Sequence, residues 1–181
     1  MKIVLDLDNT ILDTPNTIIQ FWNNLNPSRQ LKYAEDIEWD FSNILDGTDV
    51  VLKELFILFD NEGFYDNAIT YEGAIDIING ISQRHEVIIC SKHDEIRKSI
   101  TTKWINKIFP NVKLMFVDNF EDKKNLECEL IIDDKIESLE GKAKLSVCFG
   151  DYKWNKEWQK VRVTKWCQIK SIIEFLESGD R

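Results

Sequence analysis

The sequence predicts an α/β fold: a Rossmann-like parallel sheet with helices on both faces, and a small helical insert after the first strand. Three observations predict it. The chain opens with a short apolar run, Ile3-Val4-Leu5, whose length and β-branched content suit a strand buried on both faces of a parallel sheet. From residue 74 onward, strand-like and helix-like stretches alternate. Between them, over about residues 15 to 72, no strand alternation is clear and the patterns are helical.

The first strand ends in Asp6 and Asp8. Side chains two apart on a strand share a face. Both carboxylates therefore point into the cleft beyond the strand's carboxyl end, where open α/β sheets bind ligands. Asn9 and Thr10 are expected to open a helix, whose free amides favour a phosphate. Thr17 to Leu25 carries Ile18, Ile19, Phe21, Trp22 and Leu25 at helical spacing, and Asn26-Pro27-Ser28 breaks it. Leu31 to Gly63 reads as helical, with turn signals at Asp46-Gly47 and Asn61-Glu62-Gly63 and a strongly apolar helix over Val50 to Phe59.

Ala74 to Gln83 is a helix with Ile75, Ile77, Ile78 and Ile81 apolar, and Glu86 to Cys90 is a strand ending at Ser91. A helix runs from its N-cap Asp94 to Ile108, before Pro110. Further strands cover Lys113 to Val117, Leu130 to Ile132, Leu145 to Phe149 and the short pair Arg162-Val163, and Gln168 to Leu176 is the last helix. The division is a core of residues 1–14 and 73–181 and a helical cap of residues 15–72.

Bulk properties narrow the function. A chain of 181 residues is one domain, or one domain with an insert, and 43% hydrophobic residues excludes a disordered composition. With 23 basic and 32 acidic residues the net charge is −9, so no general attraction to a nucleic acid polymer or an anionic membrane is expected. A pocket can still hold a single nucleotide. Cys90, Cys128, Cys148 and Cys167 show no C-x-x-C spacing, and three lie in apolar runs. Reduced thiols and a cytoplasmic setting follow. No signal peptide or membrane-spanning run is visible. His85 and His93 lack zinc spacing and read as surface or loop residues.

The chemistry lies at the strand ends. Two nearby carboxylates persist together when a cation sits between them or one holds a proton, and Mg²⁺ is the plain cation. A carboxylate beside Mg²⁺ can attack phosphorus, and a neighbouring carboxylic acid can protonate the leaving oxygen. Ser91, after its strand, suits a phosphate oxygen or the cap of the next helix. Lys92 adds a phosphate contact or points to solvent. Lys123 and Lys124 share the loop Asn119 to Asn125, and either ammonium could steady a transferring phosphoryl group. Asp133-Asp134 directly follows a buried strand, which is costly without a cation or a basic partner.

Asp6-Leu7-Asp8-Asn9-Thr10 resembles the DxDx(T/V) motif of the haloacid dehalogenase-like (HAD) phosphohydrolases. With Ser91, a lysine and Asp133-Asp134 it forms that superfamily's ordered set of four motifs. The resemblance implies that Asp6 is the nucleophile and forms an aspartyl-phosphate, and that Asp8 is the general acid and then the base. It implies that Ser91 and Lys123, with Asn9 and Lys92 as further candidates, bind substrate. It also implies Mg²⁺ held by Asp6, the Asp8 backbone carbonyl, and Asp133 or Asp134.

A narrower resemblance is to the 5′(3′)-deoxyribonucleotidases. Phe64 to Ala74 looks like their "FF…L.P..GA" segment, and Asp122-Lys123 with Leu130 to Lys135 is similar to "DK…LLIDD". That spacing selects Lys123 over Lys124. Tyr152 to Asn155 looks like "QPWN", and Arg162 to Trp166 like "RV.SW". Where that family often has a Thr-Ala-Pro-like run, this chain has Ser91-Lys92-His93-Asp94.

The implied activity is Mg²⁺-dependent hydrolysis of a (deoxy)nucleoside monophosphate under a closing cap. Phe21, Trp22, Trp39, Phe41, Phe64 and Tyr65 are the aromatic candidates; core packing is the better account of any one of them, and stacking a base is expected of one or two at most. Hydrolysis of another small phosphoester, such as a sugar phosphate, is the alternative. A third reading is an inactive HAD-like or receiver-like module that binds phosphate and Mg²⁺. A receiver carries its acid pair on the first strand and its phosphorylated Asp on a later one, the reverse of this order. A homodimer is compatible with the sequence, which gives no sign of its interface.

Overall fold

The computed structural model describes residues 1–33 and 37–179. Six parallel strands form one sheet: β1 (Lys2–Leu5), β2 (Glu86–Ser91), β3 (Lys113–Phe116), β4 (Leu130–Asp133), β5 (Leu145–Phe149) and β6 (Arg162–Val163). Their order is β3-β2-β1-β4-β5-β6. The chain winds outward from β1 to β3, then returns across the sheet to β4 and winds outward again. The reversal puts the crevice for a ligand at the carboxyl end of β1. Leu5 is level with Ile89 on one side and Ile132 on the other, so the three strand ends open into one place.

Alternation along the strands feeds two cores. Ile3, Leu5, Val87, Ile89, Leu130 and Ile132 face a large apolar cluster, together with Ala74, Ile78, Phe109, Trp166 and Ile173 from the helices. Val4, Ile88, Cys90, Ile131 and Cys148 face a smaller one with Leu139 and Trp158. A strand covered on both faces reads as an unbroken apolar run, which is why β1, β2 and β4 were legible.

Helices α4 (Ala74–Ile81), α5 (Glu95–Ile108) and α7 (Trp166–Ser178) lie close to their expected positions, and α6 (Ile136–Leu139) is a single turn after β4. The Asp94 carboxylate accepts the Arg97 amide at 2.9 Å and caps α5. The segment carrying Lys123, expected as a loop, is a 3₁₀ turn over Phe120–Asn125. The loop after α6 packs on it. Lys142 donates its amide to the Lys124 carbonyl at 2.8 Å, and a Cβ on Gly141 would collide with that carbonyl.

Two expectations fail. Asn9 and Thr10 do not open a helix. Asn9 is left-handed (φ 57°), and the amides of Ile11 and Leu12 both donate to the Leu7 carbonyl at 2.9 Å, closing a turn. Helix α1 (Thr14–Leu25) starts where Asp13 accepts the Asn16 amide at 3.2 Å and Pro15 sits in the first turn. The span Leu31 to Gly63 is mostly not helical; residues 34–36 of it lie outside the described residues. It holds a 3₁₀ turn at Ser42–Leu45 and the helix α2 (Leu52–Leu58), and α3 (Gly63–Asp66) begins at its end.

Left-handed Phe41 (φ 61°) and Gly47 (φ 74°) interrupt any longer helix. Polar side chains fold the segment instead. Trp22 donates to the Arg29 carbonyl at 2.7 Å, and Asn23 accepts the Leu31 amide at 2.7 Å. Arg29 donates to both Asp49 and Glu54 at 3.1 Å.

Candidate active site

At the carboxyl end of β1 lies a cavity of about 480 Å³. Asp6, Asp8, Asn9, Ser91, Lys92, Lys123, Asp133 and Asp134 all line it. The segment between β1 and β2 supplies a further part of the lining, with Trp39, Phe41, Phe56 and Phe59.

Asp6 continues the ladder of β1: its amide donates to the Ile132 carbonyl at 2.9 Å, and its side chain leaves at the strand end. The buried Lys123 ammonium donates to Asp6 Oδ1 and, at 2.8 Å, to Asp133 Oδ2. Asp133 Oδ1 accepts the Lys135 amide at 2.8 Å. Asp134 accepts from Trp154 Nε1 at 2.9 Å and from Asn9 Nδ2 at 3.3 Å, both on Oδ2. Asn155 donates to the Asp134 carbonyl at 3.0 Å. Tyr152 stacks on Trp154 with ring centroids 4.5 Å apart and donates to the Asn9 carbonyl at 3.2 Å.

Asp6, Asp133 and Asp134 each offer a carboxylate oxygen within 4.8 Å of the others, and all three are buried. One lysine faces three carboxylates. Burial, reinforced by Asp133 and Asp134, pushes the Asp6 carboxyl well up despite Lys123. Burial and Asp133 push Asp134 up to about 7. Lys123 is held protonated: burial works against its charge, and Asp133 and Asp6 outweigh it. The donor set is all oxygen, and Asn9 Oδ1 beside it is buried without a hydrogen-bond partner. Such a set fits a hard divalent cation, which would return the acids to their ionised form.

The Asp8 carboxylate turns elsewhere. Arg97 Nη2 donates to its two oxygens at 2.7 and 2.9 Å, Thr14 Oγ1 donates at 2.9 Å, and His93 Nε2 lies at 3.1 Å. Burial opposes ionisation of Asp8, but Arg97 and His93 outweigh it and hold the carboxyl well below the usual carboxylate range. His93 Nε2 also meets Ser91 Oγ at 3.1 Å, and His93 Nδ1 meets Thr101 Oγ1 at 2.9 Å.

His93 lies in the loop between β2 and α5, as expected, but it is no surface residue: its side chain is fully buried. Its partners come from β1, β2 and α5, and none of them follows a metal-ligand spacing. His85 lies against α7, 2.7 Å from Glu177. Lys92 is exposed at the mouth, its ammonium 4.9 Å from the Phe120 ring centroid. Phe21, Trp22, Phe64 and Tyr65 are buried in the core; Phe41 is buried there too but borders the cavity, as exposed Trp39 does. Phe56, Phe59, Arg97 and Trp154 escaped the sequence reading, although Trp154 lies in a stretch singled out for its family likeness. Trp39 meets Phe120 edge-on at 5.8 Å and holds the Lys135 ammonium 3.2 Å from its ring centroid.

Solved structures share this architecture. YfnB of Bacillus subtilis, described as a HAD-hydrolase bound to magnesium, is 14% identical, with 94% of this chain and 97% of that chain covered and a TM-score of 0.60. A subfamily IA HAD-superfamily hydrolase of Geobacter sulfurreducens is 12% identical, with 94% and 95% covered and a TM-score of 0.56. CbbY of Rhodobacter sphaeroides, solved with xylulose-1,5-bisphosphate, is 11% identical, with 92% and 95% covered and a TM-score of 0.52. At these identities the likeness concerns the fold alone. No curated protein sequence matches the chain. Among the described residues no helix is long and apolar enough to cross a membrane. The family model described as "5′ nucleotidase, deoxy (Pyrimidine), cytosolic type C protein" matches residues 1–178, from the strand that carries Asp6 to the last turn of α7. The chain thus belongs to the cytosolic type C 5′ nucleotidase family, a HAD-type group of phosphohydrolases.

Proposed function

We propose that this phosphohydrolase acts on nucleoside monophosphates, deoxynucleotides among them, through an aspartyl-phosphate on Asp6. The observation that carries the reading is the mixed lining of the cavity. Its lining combines the Asp6, Lys123, Asp133 and Asp134 cluster with the aromatic rings of Trp39, Phe41, Phe56 and Phe59 from the segment between β1 and β2. A floor of acids and one lysine suits a phosphoryl group with its cation, and aromatic rings suit any nucleobase.

In this mechanism Asp6 attacks phosphorus, and Asp8, which must first take up a proton against Arg97 and His93 as the phosphoester enters, gives that proton to the departing ester oxygen. Ser91 Oγ and the Lys123 ammonium hold the non-bridging oxygens. Asp8, now a carboxylate, takes a proton from the water that opens the aspartyl-phosphate. Asp6, the Asp8 backbone carbonyl and Asp134 would hold Mg²⁺. Asp134 is favoured over Asp133 because both Asp133 oxygens already accept hydrogen bonds, whereas those to Asp134 from the described residues fall on one oxygen. Bound there, Mg²⁺ would neutralise the acid cluster and draw charge from the phosphoryl oxygens. Residues 15–72 act as the cap, which excludes water and reads the base, over a core of residues 1–14 and 73–181. Lys92 at the mouth guides the phosphate inward. A cytoplasmic setting agrees with the buried thiols of Cys90, Cys128 and Cys148.

The test is phosphate release from ribo- and deoxyribonucleoside 5′- and 3′-monophosphates and from sugar phosphates, with Mg²⁺ or a chelator, beside Asp6→Asn. Metal-dependent turnover of nucleotides that Asp6→Asn lacks is the expected result. Turnover of sugar phosphates alone overturns the substrate and keeps the chemistry.

A further inference from the structure

Arg97 belongs to none of the motifs discussed above, yet its guanidinium is buried in the wall of the phosphoryl cavity. Its engagement with Asp8 is one-sided. A guanidinium normally meets a carboxylate with two nitrogens in a fork. Here Nη2 alone serves both Asp8 oxygens, at 2.7 and 2.9 Å. Nε is buried and donates to nothing among the described residues. The flat face rests on aromatic rings from the neighbouring segment, 4.3 Å from the Phe59 centroid and 5.7 Å from that of Phe64. Buried polar groups without a partner are uncommon and call for an explanation.

Charge supplies one. A phosphate dianion has to enter a floor that already holds Asp6, Asp8, Asp133 and Asp134. Lys123 is engaged by Asp6 and Asp133. Lys135 lies over Trp39 and Phe120, Lys92 is at the exposed mouth, and Lys53 is exposed on α2. Arg97, which also interacts with the Tyr65 hydroxyl, is the buried cation beside the floor whose Nε is not in use.

We propose that Arg97 is a substrate-anchoring residue: its guanidinium takes an oxygen of the phosphoryl group through the donors that Asp8 leaves free, on the leaving-group side of Asp6. The inference rests on reading this cavity as the phosphoryl site. Phe59 and Phe64 hold the guanidinium plane in place by cation–π contact, so the anion meets a donor whose direction is already fixed. The side of the cavity that Arg97 occupies is the side of Asp8, where the ester oxygen departs. The anchor therefore fixes the direction in which the phosphoester lies as well as its affinity.

The test is calorimetric titration of inorganic phosphate into the Mg²⁺-loaded protein, for the unaltered chain, Arg97→Gln and Arg97→Lys, with nucleotide kinetics on the same samples. Loss of a charge-assisted hydrogen bond is expected to weaken phosphate binding in Arg97→Gln by about tenfold to a hundredfold. Arg97→Lys keeps the charge without the fork and is expected to fall between them. KM is expected to rise more than kcat falls. Where Arg97→Gln does not fold, Arg97→Lys decides alone. Phosphate affinity within about twofold of the unaltered chain in every folded variant, or no measurable phosphate binding by the unaltered chain, overturns the proposal. Phosphate binding needs no nucleotide. Variants that lose phosphate in a protein that ignores nucleotides leave the anchor standing and remove only the substrate reading.

Discussion

Asp6 and Asp8 are the same residue type, two positions apart at the end of one strand, and their surroundings drive them in opposite directions. Asp6 shares one lysine with two further buried carboxylates, and its carboxyl is pushed up. Asp8 is met by a guanidinium, an imidazole and a hydroxyl, and its carboxyl is pushed down. The shared strand end explains why both side chains reach the cavity. Elements far along the chain decide what each of them does there. The Asp6 side is a site short of positive charge, which a cation completes. The Asp8 side is already neutralised within the protein.

The sharpest way to break this comparison is to remove each acid in turn. Asp6→Asn leaves no nucleophile, and turnover is expected to fall below detection. Asp8→Asn is expected to lose about a hundredfold to ten-thousandfold, the range of general acid–base catalysis. Stability should separate them the other way. Asp8→Asn strands a buried guanidinium and is expected to cost about 3 kcal/mol in urea unfolding. Asp6→Asn costs less, because Lys123 keeps Asp133. Equal destabilisation by the two changes would show that their surroundings are not opposed in this way.

Trp154→Phe tests the Asp6 side alone. It removes the indole donor to Asp134 and should weaken Mg²⁺ binding by about tenfold, the lower end for partners of metal ligands. Turnover at saturating Mg²⁺ should stay near that of the unaltered chain. A loss of turnover that excess Mg²⁺ does not recover would count against a role in holding Asp134.

Acidity gives the next contrast. Asp134, raised to about 7, carries a proton at pH 6 that a cation must displace. Mg²⁺ is therefore expected to bind more tightly at pH 8 than at pH 6 by calorimetry, and an affinity independent of pH would contradict this. The smallest effect concerns the metal-free fold. Asp8 titrates below its ordinary 3.8 when folded, so its stabilising share is full above that value and is lost as pH falls through the folded pKa. Asp134 titrates above 3.8 when folded, so its share is present at low pH and is lost as pH rises toward 7. The two windows meet near pH 4, and chemical unfolding from pH 2 to 8 should show a rise and then a fall about that point.

The residues that the sequence revealed and those it hid differ in where their partners lie. Asp6, Ser91 and Asp133 follow runs such as Ile3-Val4-Leu5 and Leu130-Ile131-Ile132, whose burial dictates strands and whose register brings the ends together. Lys123 was found by its fixed distance from Asp133. His93 and Arg97 answer to Asp8, 85 and 89 residues away, and local pattern carries no such link. The segment from Leu31 to Gly63 misled for a local reason. Its apolar residues are dense, but left-handed Phe41 and Gly47 divide them into short turns.

The central place of β1 also bears on how the protein is made. Of the six strands β1 comes earliest in the sequence, yet it is complete only when β4, the fourth, pairs with it. Its partner on one edge is β2, and its partner on the other is β4, which pairs Ile3 with Leu130. A nascent chain that stops short of β4 holds Asp6 and Lys123 but presents the unpaired edge of a strand with the apolar run Ile3 to Leu5. Contacts of such long sequence separation slow folding. Maturation of this enzyme is therefore gated by the emergence of its third quarter, and fragments that end before Leu130 are the ones that nascent-chain chaperones should retain.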